Sequence, residues 1–258
     1  MRFACLGSGS EGNALVVEVG TTRVLLDCGF STKETVSRLG RLGLVPEDLQ
    51  GIVVTHEHSD HIGGVTRFSN KFKLPVWLTH GSMSYLANLD QLPLDTRVID
   101  SHASFMVDDL CIEPFPVPHD AREPIQFVFS DGQYRLGVLT DTGMITPHIT
   151  QMLSGCDGLV LECNHDRDLL ANGNYPPSLK ERVSGRFGHL DNLDAADLLR
   201  GMDTSKMQHI IAAHLSQKNN RPELAQCALA AALNCPEDFI GIAGQTDGFP
   251  WRQFGKPT

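Results

Sequence analysis

The short apolar run Gly51-Ile52-Val53-Val54 empties straight into Thr55-His56-Glu57-His58-Ser59-Asp60-His61. Three of the chain's 11 histidines and two carboxylates fall within those seven residues. Such a density of ionisable groups at the exit of a buried strand limits what the chain can fold into. His56 and His58 are two residues apart, so in extended backbone both point to the same side and reach one ion. Asp60 and His61 follow at the mouth of the next helix and can turn toward a second. Imidazole and carboxylate donors suit zinc, and also manganese or iron. A polar turn with incidental histidines accounts for one such residue, but poorly for H-x-H-x-D-H at a strand exit.

Two sites of this kind need further donors, and the fold must bring them in. Three later segments place the right group after an apolar run. His119 follows Phe115-Pro116-Val117-Pro118, Asp141 follows Gly137-Val138-Leu139-Thr140, and His214 follows Ile210-Ile211-Ala212-Ala213. Strand ends at one rim of a sheet converge, so all three can face one cleft. A carboxylate such as Asp141 could bridge both ions.

The rest of the chain sets these segments in an αβ frame. Ala14–Val19 and Arg23–Asp27, joined through Gly20-Thr21-Thr22, predict a hairpin. Ser31 or Thr32 starts a helix running to about Leu42. A further helix starts at His61, with Ile62, Val65 and Phe68 at helical spacing. Apolar strands are expected at 134–139, 158–162 and 209–213, and helices at 191–201 and 222–233. Residues 165–188, polar and rich in Gly and Pro, read as a loop or lid. Strands first, then strands mixed with helices, predict layered α/β architecture with two sheets inside. No internal repeat stands out. The expectation is one domain over residues 1–258. Gly7-Ser8-Gly9-Ser10-Glu11-Gly12 has the G-x-G-x-x-G spacing of a dinucleotide loop, but a β-type run follows rather than a helix, so it reads as a strand-to-strand turn.

Composition narrows the function. A net charge of −10 argues against a generic nucleic-acid coat protein. It leaves room for an enzyme that grips phosphate with metal ions and a few local cations. Seven cysteines, without a C-x-x-C pair, argue against disulfides. Cys5, Cys28, Cys111, Cys156 and Cys163 sit in or beside apolar runs, as packed thiols do. No apolar run is long enough for a bilayer span, and the N-terminus lacks a signal-peptide core, so the expectation is a cytoplasmic protein with no membrane partner.

The THEHSDH segment, His119, Leu139-Thr140-Asp141-Thr142 and His214, in that order, resemble the metallo-β-lactamase fold over nearly the whole chain. The resemblance implies a four-layered αββα sandwich of two mixed β-sheets flanked by helices, with metals at one edge of the sheets. It implies two divalent ions, Zn2+ or Mn2+ (or iron). His56, His58 and His119 would hold one, Asp60, His61 and His214 the other, and Asp141 would bridge them. LGSGSEGN at the start, Leu26-Asp27-Cys28-Gly29, Glu162-Cys163-Asn164-His165-Asp166 and Gly188-His189-Leu190-Asp191-Asn192 resemble the YycJ (WalJ) branch, related to ribonuclease Z, ribonuclease J and a small phosphodiesterase of phosphonate metabolism. That implies a phosphodiesterase or nuclease, with a 5′-to-3′ DNA exonuclease ahead of an RNA enzyme. A small-molecule hydrolase, either a thioesterase of the glyoxalase II type or a small phosphodiesterase, shares the ligand set and is the alternative. Asp60 would orient the nucleophile and His189 would serve as general acid. His165, Arg186, Lys218 and Asn13 are the candidates for touching substrate, with homodimer formation left open.

Overall fold

The structure is a computed structural model and describes residues 1–255. The first half of the chain runs β1 (Arg2–Gly7), β2 (Ala14–Val19), β3 (Thr22–Leu26), α1 (Thr32–Arg41), β4 (Gly51–Val53), α2 (Ser59–Ile62), α3 (Val65–Phe72), β5 (Val76–Leu78), α4 (His80–Asn88) and β6 (Thr96–Val98). The second half runs β7 (Phe105–Val107), β8 (Leu110–Pro116), β9 (Ile125–Ser130), β10 (Arg135–Leu139), α5 (Pro147–Leu153), β11 (Gly158–Glu162), α6 (Arg167–Asn172), α7 (Pro177–Val183), α8 (Asn192–Gly201), β12 (His209–Ala213), α9 (Pro222–Leu233), β13 (Ile240–Ile242) and β14 (Phe249–Gln253).

Two seven-stranded mixed sheets result, in the orders β14-β1-β2-β3-β4-β5-β6 and β13-β12-β11-β10-β9-β8-β7. Each starts as an antiparallel meander, β1 to β3 or β7 to β10. Each then continues through three parallel pairings. The topology therefore repeats although the sequence does not. Phe3, Val17, Val53, Phe127, Val138 and Ile211 pack in the layer between the sheets. Leu39, Val65 and Phe68 on helices pack with Val16, Leu25 and Ile52 of the first sheet. Leu153, Leu198 and Leu229 do the same for the second, with Leu159 and Leu161. This is the expected αββα sandwich, and a fully buried side chain such as Phe68 contributes about 1.5–3 kcal/mol to it.

Local signals explain most elements. Ser31 caps α1, its side chain accepting from Glu34 N at 3.3 Å. Gly7–Gly12 is the turn from β1 to β2, as its sequence context predicts. The helix expected from His61 onward is instead broken at Gly63-Gly64 between α2 and α3. The break lets the chain press against the segment after β3: a Cβ on Gly64 would lie 2.0 Å from the Phe30 carbonyl oxygen, and one on Gly29 1.8 Å from that of Asp60. The histidine-rich loop is thereby docked on residues 27–30. Residues 165–188 are likewise not a plain loop. They carry α6, capped by Asp166, and α7, opened by Pro177 in its first turn. The Gly and Pro content marks the ends of short helices there.

No helix among the described residues is long and apolar enough to cross a membrane. All seven cysteines are free. Cys5, Cys28, Cys156 and Cys163 are buried, whereas Cys111 is only half-buried, because β8 alternates between buried and partly exposed positions. Burial, with Glu162 and Asp191 nearby, raises the Cys163 thiol far above its ordinary value, so it is a packed thiol.

Candidate metal centre

His56 and His58 lie in the loop that leaves β4, Asp60 and His61 follow on α2, and His119, Asp141 and His214 follow β8, β10 and β12. All seven groups meet at one rim of the two sheets. The donor atoms of His56, His58 and His119 lie within 4.8 Å of one another, as do those of Asp60, His61 and His214. Asp141 joins His56 and His61 in a third such group, and Glu162, His189 and His214 in a fourth. His58 Nδ1 lies 3.2 Å from His119 Nε2, and Asp60 Oδ2 lies 3.4 Å from His61 Nε2 and 3.5 Å from His214 Nε2.

The backbone helps to aim these side chains. Asp27, Asp141 and His214 all have left-handed φ, of 58°, 53° and 54°. Asp and His tolerate this region better than β-branched residues, but it costs energy. Each residue follows a strand, β3, β10 or β12, so the kink turns its side chain into the cleft rather than along the sheet.

A set of buried partners then fixes the imidazoles. His61 Nδ1 donates to Asp27 Oδ2 at 2.8 Å, and His119 Nδ1 donates to the Gly188 carbonyl at 3.0 Å. Thr55 Oγ1 donates to Asp27 Oδ2 at 2.9 Å and lies 3.0 Å from His56 Nδ1. Glu162, fully buried, accepts from His189 Nδ1 at 2.8 Å and His214 Nδ1 at 3.2 Å through Oε1. Its Oε2 accepts from the Thr142 and Leu190 amides. With Nδ1 committed, each of these histidines except His58 is left with Nε2 for the cleft.

The donor set fits metal. Among the buried side-chain atoms with no hydrogen-bond partner are His56 Nε2, Asp141 Oδ2 and His214 Nε2, all in this cluster. Asp141 Oδ2 lies 3.0 Å from His61 Nε2 without hydrogen-bond alignment. Buried lone pairs left open in this way cost stability unless a cation takes them.

The protein's own charges divide the cluster. Burial, and then the neighbouring imidazoles, hold His56 and His119 below the usual histidine range, so both offer lone pairs at neutral pH. Burial also works against charge on His61, His189 and His214, but Asp141, Asp27, Glu162 and Asp60 outweigh it, placing His61 and His189 well above that range and His214 at about 9. Burial likewise opposes ionisation of Asp60 and Asp141, yet the imidazoles around them keep both well below ordinary carboxylates. A divalent cation held here would take the place of those protons.

The remaining sequence candidates fall in different places. His189 stands at the cleft, its ring centroid 5.4 Å from His119 and 5.3 Å from His214. Asn13 is buried, and its Nδ2 lies 3.1 Å from His61 Nε2 and 3.3 Å from Asp60 Oδ2, so it braces two cluster residues rather than facing substrate. His165 is buried beside Arg167 and Asp191 in a neighbouring hollow, not in the cleft wall. Arg186 is exposed and, like Lys218, forms no part of that wall. Arg182 does, and its Nε donates to Asp120 Oδ2 at 2.8 Å. Asn219 and Asn220 are buried, and Asn220 ties Cys163 to Asn192. Sequence reasoning assigned no role to Asp27, Thr55 or Glu162. Their signals are position, since each ends or follows an apolar run near a candidate ligand, and membership of the quoted motif segments, neither of which names a role.

Known proteins resemble the chain in sequence and in fold. Residues 22–213 match the family model of the beta-lactamase superfamily domain. The chain is 36% identical to the exodeoxyribonuclease YycJ of Bacillus anthracis over 90% of its length and 89% of that protein's. It is 32% identical to the exodeoxyribonuclease WalJ of Streptococcus pneumoniae, covering 93% of this chain and 91% of the relative. The crystal structure of the metallo-beta-lactamase fold protein YhfI of Bacillus subtilis superposes with a TM-score of 0.74 at 17% identity, covering 96% of this chain and 97% of that one. Two sheets that meet at a rim of histidines and aspartates, together with these matches, mean that the chain belongs to the metallo-β-lactamase superfamily, in the group that holds YycJ and WalJ.

Proposed function

We propose that the protein is a metal-dependent phosphodiesterase that removes nucleotides from the 5′ end of DNA. The carrying observation is the seven-residue cluster on one rim, in a chain that matches two named exodeoxyribonucleases over about nine-tenths of its length. His56, His58 and His119 would hold one divalent ion, Asp60, His61 and His214 a second, and Asp141 both. Nitrogen and oxygen donors of this kind suit zinc or manganese. Bound ions supply a deprotonated water at neutral pH and Lewis acidity toward a phosphoryl oxygen.

The chain's own groups do the rest. Asp60, partly exposed at the cleft, orients the attacking oxygen. His189, held through Nδ1 by Glu162, presents Nε2 and gives a proton to the leaving oxygen. Arg182 stands in the cleft wall of an otherwise acidic protein, its charge shared with Asp120.

The test is a substrate panel on zinc- and manganese-loaded protein: DNA and RNA labelled at either end, bis(p-nitrophenyl) phosphate, and S-lactoylglutathione. Mononucleotide release from the 5′ end of DNA, lost in Asp141→Ala, is expected. Dominant thioester turnover would favour the small-molecule hydrolase instead. Equal turnover by wild type and Asp141→Ala would place the chemistry elsewhere.

A further inference from the structure

The cleft has two unlike walls. One carries ionisable groups, His58, Asp60, Asp141, His189 and His214. The other carries Tyr175, Leu179 and Val183 from the α6–α7 segment beside Arg182 of the same helix, and Leu215. Water, phosphate or a metal ion has no use for its apolar members, whereas a planar apolar group does. The cleft opens to solvent and has a volume of about 350 Å3. That is near the small end of ligand pockets, about 300–1,000 Å3, and suits one nucleotide.

The apolar wall is also held in place. Tyr175 precedes Pro176-Pro177, and a residue before proline is confined to extended backbone. The Lys218 ammonium, outside the cleft wall, lies 5.6 Å from the Tyr175 ring centroid, within range of a cation–π contact. Lys180 Nζ donates to the Ala171 carbonyl at 2.6 Å, joining α7 to α6. The His189 amide donates to the Val183 carbonyl at 2.8 Å, joining α7 to the ionisable wall. The two walls are thus parts of one braced unit, with space between them for a group bonded to the phosphate under attack.

We infer that Tyr175 is the stacking platform for the base of the nucleotide being released, with Leu179, Val183 and Leu215 completing an apolar slot. This rests on the exonuclease reading and adds its specificity: the terminal nucleotide enters unpaired, and all four bases are accepted, because every base has a π-face.

The experiment is a cycle with two changes, one in the protein and one in the substrate. Wild type, Tyr175→Ala and Tyr175→Phe, metal-loaded, are assayed on single-stranded 5′-phosphorylated DNA whose terminal nucleotide is either intact or abasic. Tyr175→Ala is expected to lower kcat/KM about tenfold on the intact substrate, as loss of one base–aromatic stack does, and much less on the abasic one. Tyr175→Phe should keep wild-type rates on both. Phe187→Ala, removing an exposed aromatic of the same segment that lies outside the cleft wall, should show no such dependence on the base. Equal losses on the two substrates, or a loss in Tyr175→Phe matching that in Tyr175→Ala, would overturn the platform. Wild type that degrades neither DNA but cleaves bis(p-nitrophenyl) phosphate would instead overturn the nuclease reading beneath it. Thermal melts of each variant separate a lost contact from a lost fold.

Discussion

The two sheets share a topology but furnish the site in different ways. The first delivers His56, His58, Asp60 and His61 from one continuous stretch, a loop running into α2, tied down where Gly29 and Gly64 let the chain pack against itself. The second delivers His119, Asp141 and His214 singly, each after a different strand. Behind the first stands Asp27, holding one histidine, His61, directly and Thr55 beside it. Behind the second stands Glu162, holding both His189 and His214. One half is organised by sequence proximity. The other is organised by a buried carboxylate that gathers residues 27 and 52 positions away.

That contrast can be broken by substitution. Glu162→Gln should lower metal affinity and turnover by about 100-fold, and Asp27→Asn by about 10-fold, the span expected for partners that orient metal-binding side chains. Metal content after dialysis against a weak chelator, read beside kcat, gives both values. Equal losses would mean that the two carboxylates play the same part and that the halves are not organised differently.

A weaker effect follows from the open lone pairs on His56, Asp141 and His214. Metal at about 100 times its dissociation constant stabilises the native state by about 2.7 kcal/mol. For a chain of this size that raises the melting temperature by about 5–10 °C. Calorimetry on stripped and reloaded protein checks it. In Asp141→Ala, which removes the residue proposed to serve both ions, most of the gain should vanish.

The smallest effect lies away from the cleft. Glu18 on β2 accepts from Arg2 Nε at 2.5 Å and Arg23 Nε at 2.6 Å. Burial opposes its charge, but the two guanidinium bonds outweigh that and hold the carboxyl below its ordinary value. The triad therefore stabilises the fold above a glutamate pKa of about 4.3, and the contribution is lost as pH falls from there through the lowered folded value. Glu18→Gln should cost about 0.5–1 kcal/mol at pH 7, and urea melts should show the gap from wild type closing toward pH 3. The metal-induced rise in melting temperature should be unaltered.

The same contrast governs what the sequence makes legible. His56 to His61 declare themselves because a motif within one loop is local information. His119, Asp141 and His214 become visible only through the rule that apolar runs end at a common rim, backed by the family resemblance. Glu162 is quoted in a family segment, yet its role depends on approaching His189 and His214 across the fold, which no local pattern encodes. The split between α2 and α3 escapes helical periodicity because the reason for it is a close contact with residues 28–30. The segment 165–188 looks unstructured for a similar reason: its helices, of six and seven residues, are too short for periodicity to outweigh their Gly and Pro content.

The left-handed kinks at Asp27, Asp141 and His214 set two demands against each other. Glycine at any of the three would relax the backbone locally, but it would also strip a buried partner: His61 and Thr55 lose Asp27, His61 loses Asp141, and Glu162 loses His214. Buried groups left unpaired cost more than one left-handed residue returns. The strain is therefore locked in by the network it serves, and a hardened version of this protein has to find its gains elsewhere.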